Sequence, residues 1–494
     1  MRLAELMQHL HPAGAEAPRL SPAAVRFGSD LVVRRVTADS RQAGEGALFV
    51  AIPGARADGR AFIADAVRRG AVAVLAPPGT AWPPGVPPRP LIEDAEPRRR
   101  LAQIAATLAG TQPATLVAVT GTNGKTSTVD FLRQLWTLAG RKAAGLGTLG
   151  LIAPGLATGP GLTTPDPVVL AQTLAALAQA GVAHAALEAS SHGLDQFRLD
   201  GLRLAAGAFT NLTRDHLDYH GDMAAYRAAK LRLFAELLPA GAPAVASTAL
   251  DDETMAALDA IARTRRLDLL RVGEGGDALR LLRAAPLPHG QALEVVQAGT
   301  TIALELPLPG RFQADNALLA AALAGATGLG DALALLPRLT GVRGRMELAA
   351  RLDNGAAVYV DYAHTPDALE RLLSALRPHG RRLAVVFGAG GDRDRGKRPL
   401  MGAVAARLAE RVIVTDDNPR SEDPAAIRAA ILAACPGAIE VADRAAAIGA
   451  GLEGLGPGDV LAVAGKGHEQ GQIVGATVLP FDDVSVVRQL AGRG

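Results

Sequence analysis

Val117 to Thr128 (VAVTGTNGKTST) constrains the fold of this chain more than any other stretch. The apolar run Leu116-Val117-Ala118-Val119 reads as a β-strand that reaches Thr120 and breaks into a glycine-rich turn, with a helix starting near Lys125. Glycines let backbone N–H groups crowd round an anion, and a helix N-terminus adds positive dipole. Within Gly121, Thr122, Asn123, Gly124, Lys125, Thr126 and Ser127, the Lys125 ammonium can reach β- and γ-phosphates and the Thr126 hydroxyl can hold Mg²⁺. The full phosphate-loop pattern asks for glycine at position 119, where this chain has Val119. The strand before and the helix after therefore carry the reading; the plain alternative is an ordinary strand-to-helix turn.

Strand-like and helix-like segments alternate on both sides of this loop, which predicts an α/β chain with parallel sheets covered on both faces. At 494 residues it has room for about three domains. A small N-terminal α/β domain is expected over 1–95, with strands at Asp30–Val36, Ala47–Ile52 and Ala71–Leu75. It ends in the proline-rich Pro77–Pro90. A central ATPase domain of the phosphate-loop type is expected over 96–340, and a Rossmann-like α/β domain over 341–494. Residues 240–310 read as β-hairpins, and Asn316 reads as the cap that starts an apolar helix.

Ligands in such sheets bind beyond the carboxyl ends of strands, and the polar residues fall there. Glu188 ends a predicted strand and is followed by Ser190-Ser191-His192-Gly193; Asn211 follows another, with Asp215-His216 beyond it. A carboxylate at a strand end beside a phosphate loop suits Mg²⁺, which takes oxygen ligands. In the last third, strands at Ala357–Val360, Leu383–Phe387, Val412–Thr415 and Val460–Ala464 run into Asp361–Pro366, Gly388–Arg398, Asp416–Arg420 and Gly465–Glu469. Four charged loops on one sheet edge predict a second site. The GAGGD stretch lacks the spacing of a dinucleotide fingerprint.

Composition narrows the function further. Net charge is +2 and aromatics are 3%, with no basic patch interleaved with aromatics, so nucleic acid is not an expected partner. Cys435 is the single cysteine, which rules out an internal disulfide or thiolate cluster. The start, MRLAELMQHLHPAG, has no apolar signal segment, and no membrane span is expected, so a cytoplasmic location is expected; a monomer is the expected form. Only five lysines stand against 46 arginines: Lys125, Lys142, Lys230, Lys397 and Lys466. A chain so biased to arginine is expected to keep lysine where a guanidinium cannot serve. Lys230 alone, on the predicted helix Met223–Leu238, reads as a surface or snorkelling residue.

Taken together, TGTNGKTST, EASSHGL, FTNLTRDHLDYHG with Lys230 beyond it, VRGRME, DYAHTPDAL, FGAGGDRDRGKRPLMG, DDNPR and GKGHE resemble the motifs of the Mur ligases. These are the ATP-dependent amide-forming enzymes of peptidoglycan (cell-wall) synthesis. The resemblance runs in order over essentially the whole chain. It is strongest to the branch that adds a diamino acid to UDP-N-acetylmuramoyl-L-alanyl-D-glutamate, and DNPR is similar to the form that takes meso-diaminopimelate rather than L-lysine.

The resemblance implies roles by position. Gly121, Thr122, Asn123, Gly124, Lys125, Thr126, Ser127, Asn211, Asn316, Arg345 and Asp361 would bind ATP. Thr126, Glu188, His216 and Lys230, the last carbamylated by CO₂ to N6-carboxylysine, would serve Mg²⁺; Lys125, Glu188, His216 and Lys230 would be the catalytic set. Ala38, Ser40, Ala55, Arg56, Ala57, Thr163, Thr164, Ser190, Gln196 and Arg198 would hold the UDP-sugar dipeptide. Arg393, Asp417, Asn418, Pro419, Arg420, Gly465 and Glu469 would bind diaminopimelate. Leu162 stands where Asn often contributes to the sugar site, and Ala38 where a larger apolar residue is common. The alternatives are the lysine-adding ligase, a folylpolyglutamate synthetase, a generic ATPase and a non-catalytic nucleotide-binding regulator.

Overall fold

The computed structural model describes residues 1–10, 19–20, 31–54, 57–157, 159, 161–287 and 290–492. They fall into two compact units. The first holds Met1–Thr122, Gly140–Val245 and Leu250–Leu269; the second holds Asn123–Ala139, Ala246–Ala249 and Leu270–Gly494.

The first unit begins with a sheet in which Arg35–Thr37, Ala47–Val50, Ala71–Ala76 and Leu91–Glu93 run parallel in that order, with Arg19–Leu20 antiparallel at the edge. Alternation along Leu48-Phe49-Val50-Ala51 feeds two cores. Leu48 and Val50 pack with Leu101 and Ile104 of helix Pro97–Ala109, whereas Phe49 and Ala51 pack with Ile63, Ala66 and Val67. Burial on both faces is why these strands are apolar runs rather than alternating ones. The strand predicted over 30–36 is shorter than expected, and Asp30 lies outside the described residues.

The second sheet of this unit carries the phosphate-loop strand. Ala206–Phe209, Thr115–Thr120, His184–Glu188 and Ala143–Gly147 are parallel neighbours in that order; Gly150–Ala153 and Leu156–Ala157 extend the edge antiparallel. All four parallel strands therefore end on one edge; three of them are expected from sequence, and Ala143–Gly147 is not. The helix expected over 223–238 is α-helical only for Met223–Arg232 and continues as a π-turn, Leu233–Leu237. Packing of Phe234 on Phe209, rings stacked 6.0 Å apart, accompanies that wider turn.

In the second unit, helix Lys125–Leu138 packs along helix Arg311–Ala326. The latter corrects one expectation: Gly310 is the cap and Asn316 sits inside the helix, 5% exposed. The capping preference of asparagine yielded to burial of a continuous Ala/Leu surface. The hairpin expectation for 240–310 holds for Leu279–Leu287, Gly290–Gln297 and Thr300–Leu306, which form an antiparallel meander. It fails for Asp252–Arg265, a helix of the first unit whose cap Asp251 accepts from Thr254 N and whose Leu258 and Ala262 are buried at helical spacing.

The C-terminal sheet has the order Glu347–Arg351, Ala357–Asp361, Val460–Ala464, Leu383–Phe387, Arg411–Val414, Ile439–Glu440, parallel except for the first pair. Val385 and Phe387 face Leu369, Leu373 and Met401; Ala384 and Val386 face Ala447, Ile448 and Val487. A fully buried ion pair, Arg444 with Asp483 (Nε–Oδ1 and Nη2–Oδ2 both 2.7 Å), lies under the end of the central strand, where Arg444 Nη2 also donates to Ala464 O at 3.0 Å. Among the described residues no helix is long and apolar enough to cross a membrane, and Cys435 is buried as a free thiol.

His468 is 4% exposed and rests 5.0 Å from the Tyr362 ring. Burial, with the positive charges of Arg345 and Arg343, drops its imidazole to about 3. The unfolded chain binds this proton below about 6.5 and the folded chain does not, so folded stability falls as pH falls from 6.5 toward 3. His468→Gln removes that liability. Unfolding free energies from denaturant titrations between pH 7 and pH 4 should fall less steeply in the variant, by about 1.4 kcal/mol per pH unit at most. Parallel profiles would show that His468 takes up its proton in the folded state.

Candidate active site

The boundary between the two compact units falls inside the phosphate loop, between Thr122 and Asn123. In the second unit, Gly124 has φ +86°, and a Cβ there would lie 2.3 Å from Asn316 Oδ1. Only glycine allows that approach, which is how a residue inside a distant helix comes to the loop. Lys125 opens the helix, half-buried, and Thr126 and Ser127 are buried behind it. A helix N-terminus of this kind carries the positive end of the helix dipole, where an anion is favoured.

Arg345 reaches the same turn. Its Nη2 donates to Thr126 Oγ1 at 3.4 Å, its guanidinium lies 4.6 Å over the Tyr362 ring, and its carbonyl accepts from Gln313 Nε2 at 3.2 Å. Asp361 accepts from Met346 N (2.6 Å) and Ala363 N (2.8 Å); burial lifts its carboxyl to about 6 against the opposing pull of Arg345 and those two donors. Asn123 Nδ2 donates to Asp367 Oδ2 at 3.3 Å.

In the first unit, Gly121 has φ +142° and its virtual Cβ would strike Thr210 Oγ1 at 1.9 Å. Thr122 N donates to Asn211 O at 2.8 Å, and Thr122 Oγ1 lies 3.1 Å from the Tyr226 hydroxyl. Lys230 is no surface lysine: it is 1% exposed, with Nζ donating to Gly121 O at 2.8 Å and lying 4.4 Å over the Tyr226 ring. The snorkelling reading is overturned, because the residue reaches inward to the loop. His216 has φ +53° and its ring lies 4.9 Å from that of His192, whose imidazole burial holds neutral with a value of about 4.

Glu188, 2% exposed, accepts from Thr148 N (2.8 Å) and Thr148 Oγ1 (3.2 Å). Thr148 was not singled out from sequence; it sits on the turn after a short strand, with no motif to mark it. Its hydroxyl is 3.1 Å from that of Thr163. Thr164 Oγ1 contacts Glu188 O (2.8 Å) and Ser190 Oγ (3.0 Å), while Arg198 donates to Thr164 O (2.6 Å) and Gln196 Oε1 (2.7 Å). Five expected sugar-site residues thus form one network tied to Glu188. Ala38 and Ala57 in loops, and Ser40 at the start of the short 3-10 turn Ser40–Gln42, follow or precede strands of the N-terminal sheet and share no hydrogen bond with that network among the described residues; Ala55 and Arg56 lie outside them. Leu162, next to Thr163, is 61% exposed. The described residues contain no group of three or more His, Cys, Asp and Glu able to hold a metal unaided.

The second expected site gathers in the second unit. Asn418 Nδ2 donates to Glu469 Oε2 at 2.8 Å, and a Cβ on Gly465 would lie 2.6 Å from Asp417 Oδ2. Arg420 has φ +53°; its Nη1 donates to Gly391 O (2.9 Å) and Asn418 O (3.4 Å). Arg393 is exposed and, among the described residues, donates to its neighbour's carbonyl, Asp392 O, yet it flanks Gly390 as Arg420 does. Sequence reasoning missed the brace beneath: Arg398, 4% exposed, pairs with Glu422 (2.9 Å), and Glu422 accepts from Asp392 N at 2.6 Å. The signal was an arginine in the GDRDRGKR loop whose partner lies 24 residues away, which no local pattern reveals.

The chain matches three family models: Mur ligase family, catalytic domain over 32–107; Mur ligase middle domain over 119–324; and Mur ligase, glutamate ligase domain over 344–467. A curated relative from Caulobacter vibrioides, UDP-N-acetylmuramoyl-L-alanyl-D-glutamate–2,6-diaminopimelate ligase, is 55% identical over 472 residues, covering 94% of this chain and 96% of its own. A solved structure bearing the same ligase name aligns with a TM-score of 0.70 at 33% identity, over 96% of this chain and 97% of its own. A folylpolyglutamate synthase from Mycobacterium tuberculosis shares the fold, with a TM-score of 0.61 at 21% identity, over 80% of this chain and 94% of its own. From the ordered motifs, the three-domain α/β architecture and these matches, the chain belongs to the Mur ligase family.

Proposed function

We propose that this protein is an ATP-dependent ligase that joins meso-2,6-diaminopimelate to the D-glutamate γ-carboxylate of UDP-N-acetylmuramoyl-L-alanyl-D-glutamate in peptidoglycan synthesis. The observation that carries it is the charged cluster of Asn418, Arg420 and Glu469, built from loops separate from the phosphate loop. It offers a carboxylate for an ammonium and a guanidinium for a carboxylate, which suits an amino-acid co-substrate. The 55% identity to a ligase named for this reaction supports the same reading. We assign the boundaries 1–95, 96–340 and 341–494 to sugar, nucleotide and amino-acid domains, and a cytoplasmic monomer as the working form.

A carboxylate is a poor electrophile. Its oxygen attacks the ATP γ-phosphorus, the bond to the bridging oxygen breaks, and ADP leaves an acyl phosphate. The free amine of diaminopimelate then attacks the acyl carbon, phosphate departs, and the nitrogen loses its proton to solvent. Lys125 and the amides of Gly124 to Ser127 neutralise the transferred phosphoryl group. Arg345 orients the Thr126 hydroxyl, and Asn211 and Asn316 flank the nucleotide end. Thr163, Thr164, Ser190, Gln196 and Arg198, with Ser40 and Arg56, hold the nucleotide-sugar peptide.

Mg²⁺ fits the donor chemistry: one carboxylate (Glu188), one hydroxyl (Thr126) and substrate phosphates are what that ion takes, with His216 as the one nitrogen donor. The ion supplies charge neutralisation at the phosphates. Lys230 completes the set as a carbamate. A carbamate nitrogen keeps one hydrogen, so the bond to Gly121 O survives while a buried cation becomes an oxyanion.

Phosphate release from ATP, measured with the UDP-dipeptide and either meso-diaminopimelate or L-lysine, tests the reaction. Release should require both substrates and run much faster with diaminopimelate. A preference for lysine keeps the ligase and overturns the amino-acid assignment; release without any amino acid overturns the ligase. Arg420→Ala should raise the diaminopimelate KM by roughly tenfold or more, the cost of an unpaired carboxylate. An unchanged KM would end that role. CO₂-depleted enzyme should lose activity and regain it with bicarbonate, whereas Lys230→Ala should not respond; equal behaviour of the two proteins would reject carbamylation.

A further inference from the structure

Lys466 is the one lysine of the GKGHE loop, and its side chain is 0% exposed. No substrate contact falls to it in the reading above. Its Nζ donates to Asn418 Oδ1 at 2.9 Å and to Glu469 Oε2 at 3.2 Å. Asn418 Oδ1 accepts a second bond, from Ile473 N at 2.9 Å, in the strand Gly471–Val474. With two donors on its oxygen, the carboxamide has one orientation open to it, and Nδ2 is turned to Glu469 Oε2 at 2.8 Å. Glu469 Oε2 is thereby saturated, while Oε1 accepts no hydrogen bond among the described residues and the side chain is 30% exposed.

The same strand holds the rest of the segment. Gln472 Nε2 donates to Asp417 O (2.8 Å), Arg420 N donates to Ile473 O (3.0 Å), and Gly475 N donates to Arg420 O (2.8 Å). These bonds keep Arg420 in its left-handed conformation, which an L-residue adopts only under constraint. Among the described residues, Lys466 is the cation whose side chain donates to both Asn418 and Glu469.

We propose that Lys466 is a positioning residue for the amino-acid co-substrate: it pins one oxygen of Glu469 and the amide of Asn418, leaving Glu469 Oε1 as a fixed acceptor for the ligand's ammonium. A buried ammonium is expensive to desolvate and is matched here by two polar partners, so its removal leaves those partners unsatisfied rather than the fold emptied.

The inference rests on the amino-acid assignment under Proposed function, and the controls separate the two. Wild-type enzyme must first show diaminopimelate-dependent phosphate release; if it does not, the assignment fails and Lys466 is not the reason. Lys466→Met keeps the length and apolar stem and drops the charge. Its diaminopimelate KM should rise about tenfold while the KM values for ATP and the UDP-dipeptide stay within about twofold. Lys466→Arg, which restores charge and donors, should recover part of the loss and serves for the same comparison if the Met variant does not fold. A proportional rise in all three KM values, a fall in kcat alone, or no change in either variant would overturn the proposal.

Discussion

A parallel sheet covered on both faces leaves polar chemistry one place to go. Its strands must be apolar along their length, so hydroxyls, carboxylates and amides gather where the strands stop. The strand-end residues of the candidate site obey this constraint, whereas Lys230 and Asn316 are carried by helices. Thr120 runs into Gly121, Glu188 is the last residue of its strand, and Asp361 and Ala464 end neighbouring strands of the C-terminal sheet. The cores decide where the sites are; the loops decide what the sites do.

What the sheets leave to the loops is mostly electrostatic, and it is handled by burial in pairs. Arg444 and Asp483 are both fully buried, Arg398 faces Glu422, and Lys466 faces Glu469 and Asn418. Isolated, each of these charges would be costly; paired, each fixes a backbone segment from below. Histidines are treated in the opposite way. His192 and His468 are held neutral by burial, so they pack as rings instead of competing as cations. The same principle of desolvation thus separates groups that must stay charged from groups that must not.

Much of this was legible in the sequence because it is periodic or punctuated. Strand, glycine turn and helix around Lys125 came from local pattern, as did the apolar runs ending at Glu188, Phe387 and Ala464. Asn316 and Lys230 were recognisable through family motifs but not through their own neighbourhoods. A local reading made one a helix cap and the other a surface lysine, since approach to Gly124 and Gly121 is set by packing across distant segments. The helix Asp252–Arg265 was hidden among glycines and prolines on either side. Thr148 and Glu422 left no trace, because a hydrogen bond across tens of residues has no period.

Asn418 is followed by Pro419. Asparagine side chains age chemically when the next backbone nitrogen attacks the amide and closes a five-membered imide, which opens to aspartate. Proline's nitrogen carries no hydrogen and cannot serve as that nucleophile in the ordinary way. The amide is also held by two donors on its oxygen and by Glu469 on its nitrogen. Conversion to aspartate here would set a new negative charge against Glu469. The Asn-Pro pair, besides shaping the loop, therefore gives this part of the molecule chemical durability over its working life.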